Sequence, residues 1–343
     1  MVVTILAAIF VFGLLVLVHE AGHFLTAKMT GMRVDEFAIG FGPKVLEFQH
    51  GETVYSIRAL PLGGFNNIAG MDPDDKEAGD RAFNAKPVGS RLIVMLAGSV
   101  MNFVLPIFLF FGVFFFSGVS TPVNEPVLGD VIAGKPADQA GLIKGDRIIS
   151  IDGKELSTWG DLVQTVSSAQ GTQTVVYERD GNTFETEMTP HYDKSAGRAM
   201  VGVMSSVNKE YPGLVNSASM AVERTGIILY KMCEALLGII TGSASAELAG
   251  PLGVAQMAGE AANIGIVSLI NFTALLSLNL GIINLFPVPA LDGGHCVTLV
   301  LEAVRGKPLS SKALYYTQCV GIALIVLLMI YATKSDIVRI FFG

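Results

Sequence analysis

The sequence predicts a polytopic α-helical membrane protein with four transmembrane helices and a long polar insertion between the second and third. Of its 343 residues, 51% are hydrophobic and only 15% are charged. Mean hydropathy is +0.54, whereas soluble proteins carry about 25% charged residues. The uncharged stretches also recur at lengths near the roughly 20 residues that a helix needs to cross hydrocarbon. The net charge of −7 is spread along the polar segments, without a basic stripe or acidic tail, and gives no footing for a nucleic-acid partner. Cys233, Cys296 and Cys319 are too few and too scattered for a disulfide framework.

The first span is placed at residues 1–25. Residues 2–18 carry no charge, after which the chain meets His19 and Glu20. This stretch has neither a basic leader nor a small-residue cleavage site, so it reads as a retained helix rather than a secretory signal. Residues 26–91 follow as a polar region. The second span, 92–118, lies in the uncharged run 92–124, with Pro106 placed to kink it. Residues 191–265 read as a linker and an interfacial helix, because the apolar stretch 226–242 is interrupted by Lys231 and Glu234. The third span, 266–291, lies in the uncharged run 261–291, and the fourth covers 313–333.

Orientation follows the basic residues nearest the span ends. Lys28 and Arg33 follow span one, Lys86 and Arg91 precede span two, and Arg305, Lys307 and Lys312 separate spans three and four. They put 26–91 and 292–312 in the cytoplasm, with both termini and 125–265 outside; Lys334 and Arg339 weigh the other way. Spans one and three then both run inward, which brings residues 19–23 and 292 to one membrane depth.

Residues 19–23 read His-Glu-Ala-Gly-His, the HExxH pattern. On a helix, positions four apart share a face, so two imidazoles can grip one metal ion while the glutamate takes a proton from an activated water. Three ionisable groups closing an uncharged run are costly in a membrane, which favours function over a mere helix end. A catalytic zinc takes a third protein ligand. The third span ends in Pro287, Pro289, Asp292, Gly293 and Gly294. The prolines end helical form, and irregular backbone at membrane depth is tolerated where it lines a polar cavity. Asp292 is therefore preferred, with His295 and Cys296 as competitors. His50 and His191 read as surface residues. Asn279 and Asn284 suit either hydrogen bonding between helices or holding a substrate backbone or oxyanion.

The pieces HEAGH at 19–23, GFGP at 40–43, PLGGF at 61–65, AGSVMN at 97–102 and NLFPVPALDGGH at 284–295 together resemble the site-2 protease family, in its bacterial regulator-of-sigma-E branch. The likeness spans nearly the whole chain in the family's order. It implies Zn2+ bound by His19, His23 and Asp292, with Glu20 as the catalytic base. Asn284, Asn279, Gly40, Phe41 and Gly42 are implied substrate contacts. Residues 33–65 resemble the family's membrane-re-entrant β-sheet, on which an unwound substrate is thought to add as a strand. The implied substrates are single-span membrane proteins in the bacterial inner membrane, such as anti-sigma factors already trimmed by another protease, and remnant signal peptides. Where relatives often read AGPxxN, this chain has Ser99 at the proline position.

Residues 126–190 resemble one extracytoplasmic PDZ domain, where many relatives carry two. Gly145 and Gly153 bracket a strand at 147–152, residues 161–168 suit the helix beside a peptide groove, and Asp180-Gly181 signals a hairpin. Val127, Leu128 and Gly129 are the candidates for holding a peptide or free C-terminus; the module reads equally as a steric plug. A non-catalytic membrane scaffold built on this module is the alternative function, and an intact HExxH with its distant LDG counts against it.

Overall fold

The computed structural model describes residues 1–71, 79–169, 171–193, 197–243 and 249–342. Parts of the expected regions 26–91, 126–190 and 191–265 lie outside the described residues, at 72–78, 170, 194–196 and 244–248. The chain divides into two units, residues 1–117 with 213–343 and an inserted unit of 118–212.

Helix α1 (Val2–Met29) carries HExxH in its penultimate turns and ends at Thr30, whose N–H turns back to Thr26 O while that of Gly31 reaches Lys28 O. Nothing in residues 24–29 breaks a helix, so α1 outruns the expected boundary at 25. Two long, bent strands follow, β1 (Val34–His50) and β2 (Thr53–Ile68). Residues 36–39 lie between residues 54–57 on one side and 64–67 on the other, while residues 46–50 fold back on 53–57. The pair thus forms four layers of strand, with exposed residues 44–50 at one edge. Helix α2 (Val88–Gly112) contains Pro106 and runs on through a π-type turn, Val113–Ser117. It starts four residues before the expected 92, at the break set by Pro87.

The inserted unit runs β3 (Val119–Pro122), β4 (Leu128–Val131), α3 (Pro136–Gln139), β5 (Arg147–Ile151), β6 (Lys154–Glu155), α4 (Trp159–Ser167), β7 (Gln173–Arg179), β8 (Asn182–Met188), β9 (His191–Asp193), β10 (Arg198–Met200), β11 (Val203–Ser205) and β12 (Val207–Glu210). A four-stranded sheet has the order β6-β5-β7-β8, and β4 pairs with β11. Its core gathers Leu128, Ile148, Ile151, Leu162, Val166 and Val175. Thr158 and Asp161 close a capping box at the start of α4. Asp180 and Gly181 both take positive φ, 51° and 77°, as a two-residue hairpin turn requires. The expected linker is corrected over its first part. Residues 191–210 form four short strands because Ala199 and Val201 alternate into the unit's interior.

The chain then forms α5 (Gly213–Ile240), α6 (Pro251–Ile264), α7 (Ile266–Asn284), α8 (Asp292–Arg305) and α9 (Ser311–Phe342). The third apolar helix ends at Asn284, not 291, since Pro287 and Pro289 cannot continue it. Asp292 therefore opens α8, after a non-helical bend in which Ala290 has φ 76°. The fourth helix extends beyond the expected 313–333. Asp336 on α9, 2% exposed, accepts from the N–H groups of Gly250 (3.1 Å) and Gly253 (2.8 Å), capping α6 from a neighbouring helix. Among the described residues, four helical segments are long and apolar enough to cross a membrane: residues 2–29, 88–117, 266–284 and 311–339. Ala7, Val11 and Leu15 of α1 pack with Leu105 of α2, Ala258 of α6 and Leu269 of α7. Arg91 of α2 donates to Glu302 of α8 at 2.6 and 3.0 Å, tying the helix that starts at Asp292 to α2.

Candidate metal centre

His19 and His23 sit one turn apart on α1, and the bend after α7 brings Asp292 to them. His19 Nε2 lies 3.2 Å from His23 Nε2, and the two nitrogens lie 3.3 and 3.4 Å from Asp292 Oδ2. Ligands about 2.0–2.1 Å from a tetrahedral zinc stand about 3.3–3.4 Å from one another, so the three atoms fit a zinc ion without rearrangement. Their side chains are 12%, 9% and 17% exposed, and Asp292 Oδ2 is buried without a hydrogen bond. A cation meets the need of that oxygen. Among the described residues, these three are the His, Cys, Asp and Glu side chains grouped as a metal site. His295 lies outside the group, and Cys296 packs instead against the cluster of Met32 and Leu299.

The far side of each imidazole is held. His23 Nδ1 donates to the carbonyl of Val94 on α2 at 2.7 Å, which leaves Nε2 as the free lone pair. His19 Nδ1 lies 3.1 Å from Asn102 Nδ2, while Asn102 Oδ1 is buried without a partner. Turning that amide over lets Oδ1 accept from Nδ1–H, satisfying the oxygen and freeing the lone pair of His19 Nε2 for an ion. Asn102 is fully buried, and its own carbonyl accepts from Ser277 Oγ of α7 at 2.7 Å. Two glycines permit this packing. A Cβ at Gly98 would collide with His23 Nε2 and His19 Cε1, and one at Gly22 would meet Ala97 O at 2.5 Å. Glu20 points to β2, where Asn66 Nδ2 donates to its Oε2 at 2.7 Å.

Asn284 is half-buried at the end of α7 and Asn279 is exposed on it. Gly40 and Gly42 take φ of 89° and 86°, and a Cβ at Gly40 would meet Leu60 O at 2.6 Å, so their positions in β1 answer to backbone geometry. Phe41 between them is 47% exposed and stacks on Phe65. In the inserted unit the groove lies between α4 and residues 198–203, bordered by Trp159, Leu162, Val166, Arg198 and Met200. The expectation for Val127, Leu128 and Gly129 is corrected. Leu128 is 1% exposed in the core, and Gly129 packs against the Ser205 carbonyl, because β4 pairs with β11 and so turns inward. Sequence reasoning passed over Asn66, Val94, Gly98 and Asn102 as site residues. Only Asn102, a lone amide in an apolar run, left a signal.

Two imidazoles on a helix of membrane-spanning length, with a glutamate between them and a carboxylate brought in by the bend after a second such helix, define a metallopeptidase built into apolar helices. Residues 7–328 match Peptidase family M50, and the chain belongs to that family. It is 32% identical to the regulator of sigma-W protease RasP of Bacillus subtilis, over 98% of this chain and 99% of that protein. Zinc metalloprotease RasP of Bacillus licheniformis is also 32% identical, with the same coverage. A protein of Clostridium acetobutylicum that carries the name of a zinc metalloprotease is 35% identical over 97% of both chains. The PDZ domain of the SdrC-like protein of Listeria monocytogenes aligns with 25% of this chain and 93% of its own, at 20% identity and a TM-score of 0.22. The chain is thus a metalloprotease.

Proposed function

We propose that the chain is a zinc site-2 protease that hydrolyses peptide bonds within the transmembrane segments of single-span membrane proteins. The observation that carries this reading is the meeting of His19 Nε2, His23 Nε2 and Asp292 Oδ2 within 3.4 Å at the ends of apolar helices. These atoms would hold the ion, and a fourth position would remain for water or substrate. A zinc ion held there would supply Lewis acidity to a water and to the scissile carbonyl. Glu20 takes the proton from the attacking water and delivers it to the leaving amide nitrogen. With Oε2 engaged by Asn66, Oε1 is the oxygen free to carry that proton.

An extended substrate would add to the exposed edge at residues 44–50, where main-chain donors and acceptors are unpaired on one side. Gly40, Phe41, Gly42, Asn279 and Asn284 are the proposed substrate contacts. The basic residues flanking the spans support a cytoplasmic-membrane protein with residues 26–91 and 292–312 inside and both termini outside. The inserted unit is read as a PDZ domain, its groove set by α4 and residues 198–203 rather than 127–129. One proposed substrate class is membrane anti-sigma factors trimmed first by another protease, in keeping with the name of the Bacillus subtilis relative, a regulator of sigma-W protease. Remnant signal peptides are a second.

The test is metal analysis and cleavage of a reporter transmembrane substrate by the purified chain. Glu20→Gln retains zinc and loses cleavage, and Asp292→Asn binds zinc more weakly. Cleavage surviving Glu20→Gln sinks the mechanism. Loss of zinc in His295→Ala, with Asp292→Asn normal, moves the third ligand to His295.

A further inference from the structure

We propose that Asn66 is a positioning residue for Glu20, by which the β-hairpin fixes the rotamer of the base. This rests on the protease reading above. Asn66 lies on β2, paired with Phe37. Its Nδ2 donates to Glu20 Oε2 at 2.7 Å and to the Glu20 main-chain O at 2.8 Å. Both partners are acceptors, so only the nitrogen of the amide can face them. Turned over, Oδ1 would meet two oxygens.

One amide therefore spans the carboxylate and the backbone of the same residue. A glutamate has three rotatable bonds, and each unproductive rotamer removes its carboxylate from the reacting water. A donor that reads carboxylate and backbone together selects one rotamer. It leaves Oε1 for the proton.

The strand comes this close only through Gly64, two residues earlier and on the same face. A Cβ at Gly64 would stand 3.0 Å from Glu20 Cγ and 2.8 Å from Val16 Cγ1. Over Glu20 the strand thus presents first a bare backbone and then an amide. Phe37, opposite Asn66, stacks edge-on against Phe24 of α1 at 5.4 Å, fixing the height of the strand on the helix. Asn66 Oδ1 is buried without a partner. An unpaired buried acceptor is unfavourable, so the amide persists against its own oxygen for what its nitrogen does.

The test uses the full chain in detergent, with kcat, KM, zinc content and the affinity of the zinc-depleted protein for a labelled transmembrane peptide. Asn66→Leu keeps the shape and removes the donor. We expect kcat to fall about tenfold or more through misorientation. KM and peptide affinity stay within about twofold, since binding is untouched, and zinc content is unchanged. Asn66→Asp, which sets a second carboxylate against Glu20, falls below Asn66→Leu. Asn66→Gln, which keeps a donor, recovers part of the rate. Gly64→Ala lifts the strand and loses kcat in the same way. A wild-type kcat in Asn66→Leu overturns the inference, as does a loss confined to KM or to zinc. An active wild type separates these results from failure of the protease reading itself, since an inactive one overturns both.

Discussion

At Asn102 a fully buried amide sits in an apolar helix, where it must find partners or lose free energy. Its side chain finds one at His19 Nδ1, while the main-chain carbonyl of the same residue accepts from Ser277 Oγ. An acceptor on the far nitrogen of a ligand imidazole fixes the tautomer and raises the basicity of the near one, and losing such a partner costs about 10–100-fold in metal affinity. Asn102→Ala is therefore expected to lower zinc affinity about 10–100-fold while the helices persist, read by chelator competition and circular dichroism. Unchanged affinity would mean that the His19 tautomer is set without it. His19, Glu20 and His23 were legible in the sequence because their relation is local, one turn of one helix. Asp292 was legible from the prolines and glycines that bend the chain around it. Gly98, Asn66 and the Val94 carbonyl were not, since each acts through a close approach that only the packed helices and hairpin create.

The β1–β2 hairpin is the element that carries Asn66 to Glu20, and its tip is tied down by charge. Glu52 accepts from both terminal nitrogens of Arg81 at 2.7 Å and from Lys28 Nζ at 2.6 Å. The Arg81 guanidinium first, and Lys28 second, pull the Glu52 carboxyl down to about 2. A depressed folded-state value means that the stabilisation is fully present above the ordinary carboxylate range and is lost as pH falls toward 2. Hydrogen exchange of the β1 and β2 amides, followed from pH 6 downward, should therefore show protection that weakens between about pH 4.5 and 2. In Glu52→Gln protection is lower at pH 6 and lacks that step; an identical profile in the two proteins would show that the tip is held by the strands alone. The hairpin turn at Asp180-Gly181, helix α4 and strand β5 were all readable from turn chemistry and periodicity. The strands at residues 191–210 were not, because each is only three or four residues long: β9 and β10 pair only with each other, and β11 and β12 owe their form to partners distant in sequence. The same non-local pairing, β4 with β11, misdirected the reading of Val127, Leu128 and Gly129.

At the scale of the molecule, one sequence builds two kinds of core. The helical unit buries small and aliphatic residues such as Ala7, Val11, Ala258 and Leu278, and much of its remaining apolar surface stays exposed, including most of α9. Such surface is stable only against lipid or detergent. Residues 118–212 instead close a compact core of their own around Ile148, Ile151 and Val175, with Asp146 fully buried and held by Arg179 Nε and Nη2 at 2.7 Å and by the N–H of Ile143 at 2.8 Å. A core of this kind needs no membrane, so residues 118–212 should fold when expressed alone and unfold cooperatively in urea. Ile151 makes the sharper test, being fully buried on the central sheet. Ile151→Ala should cost about 3 kcal/mol, and Ile151→Val about 1 kcal/mol, in the isolated unit, seen as a lower urea midpoint at constant slope. In the full chain the same substitutions should leave zinc content and the detergent-stable helical signal unchanged, since the metal ligands draw on the other core. Loss of zinc from Ile151→Ala would show that the two units do not fold independently.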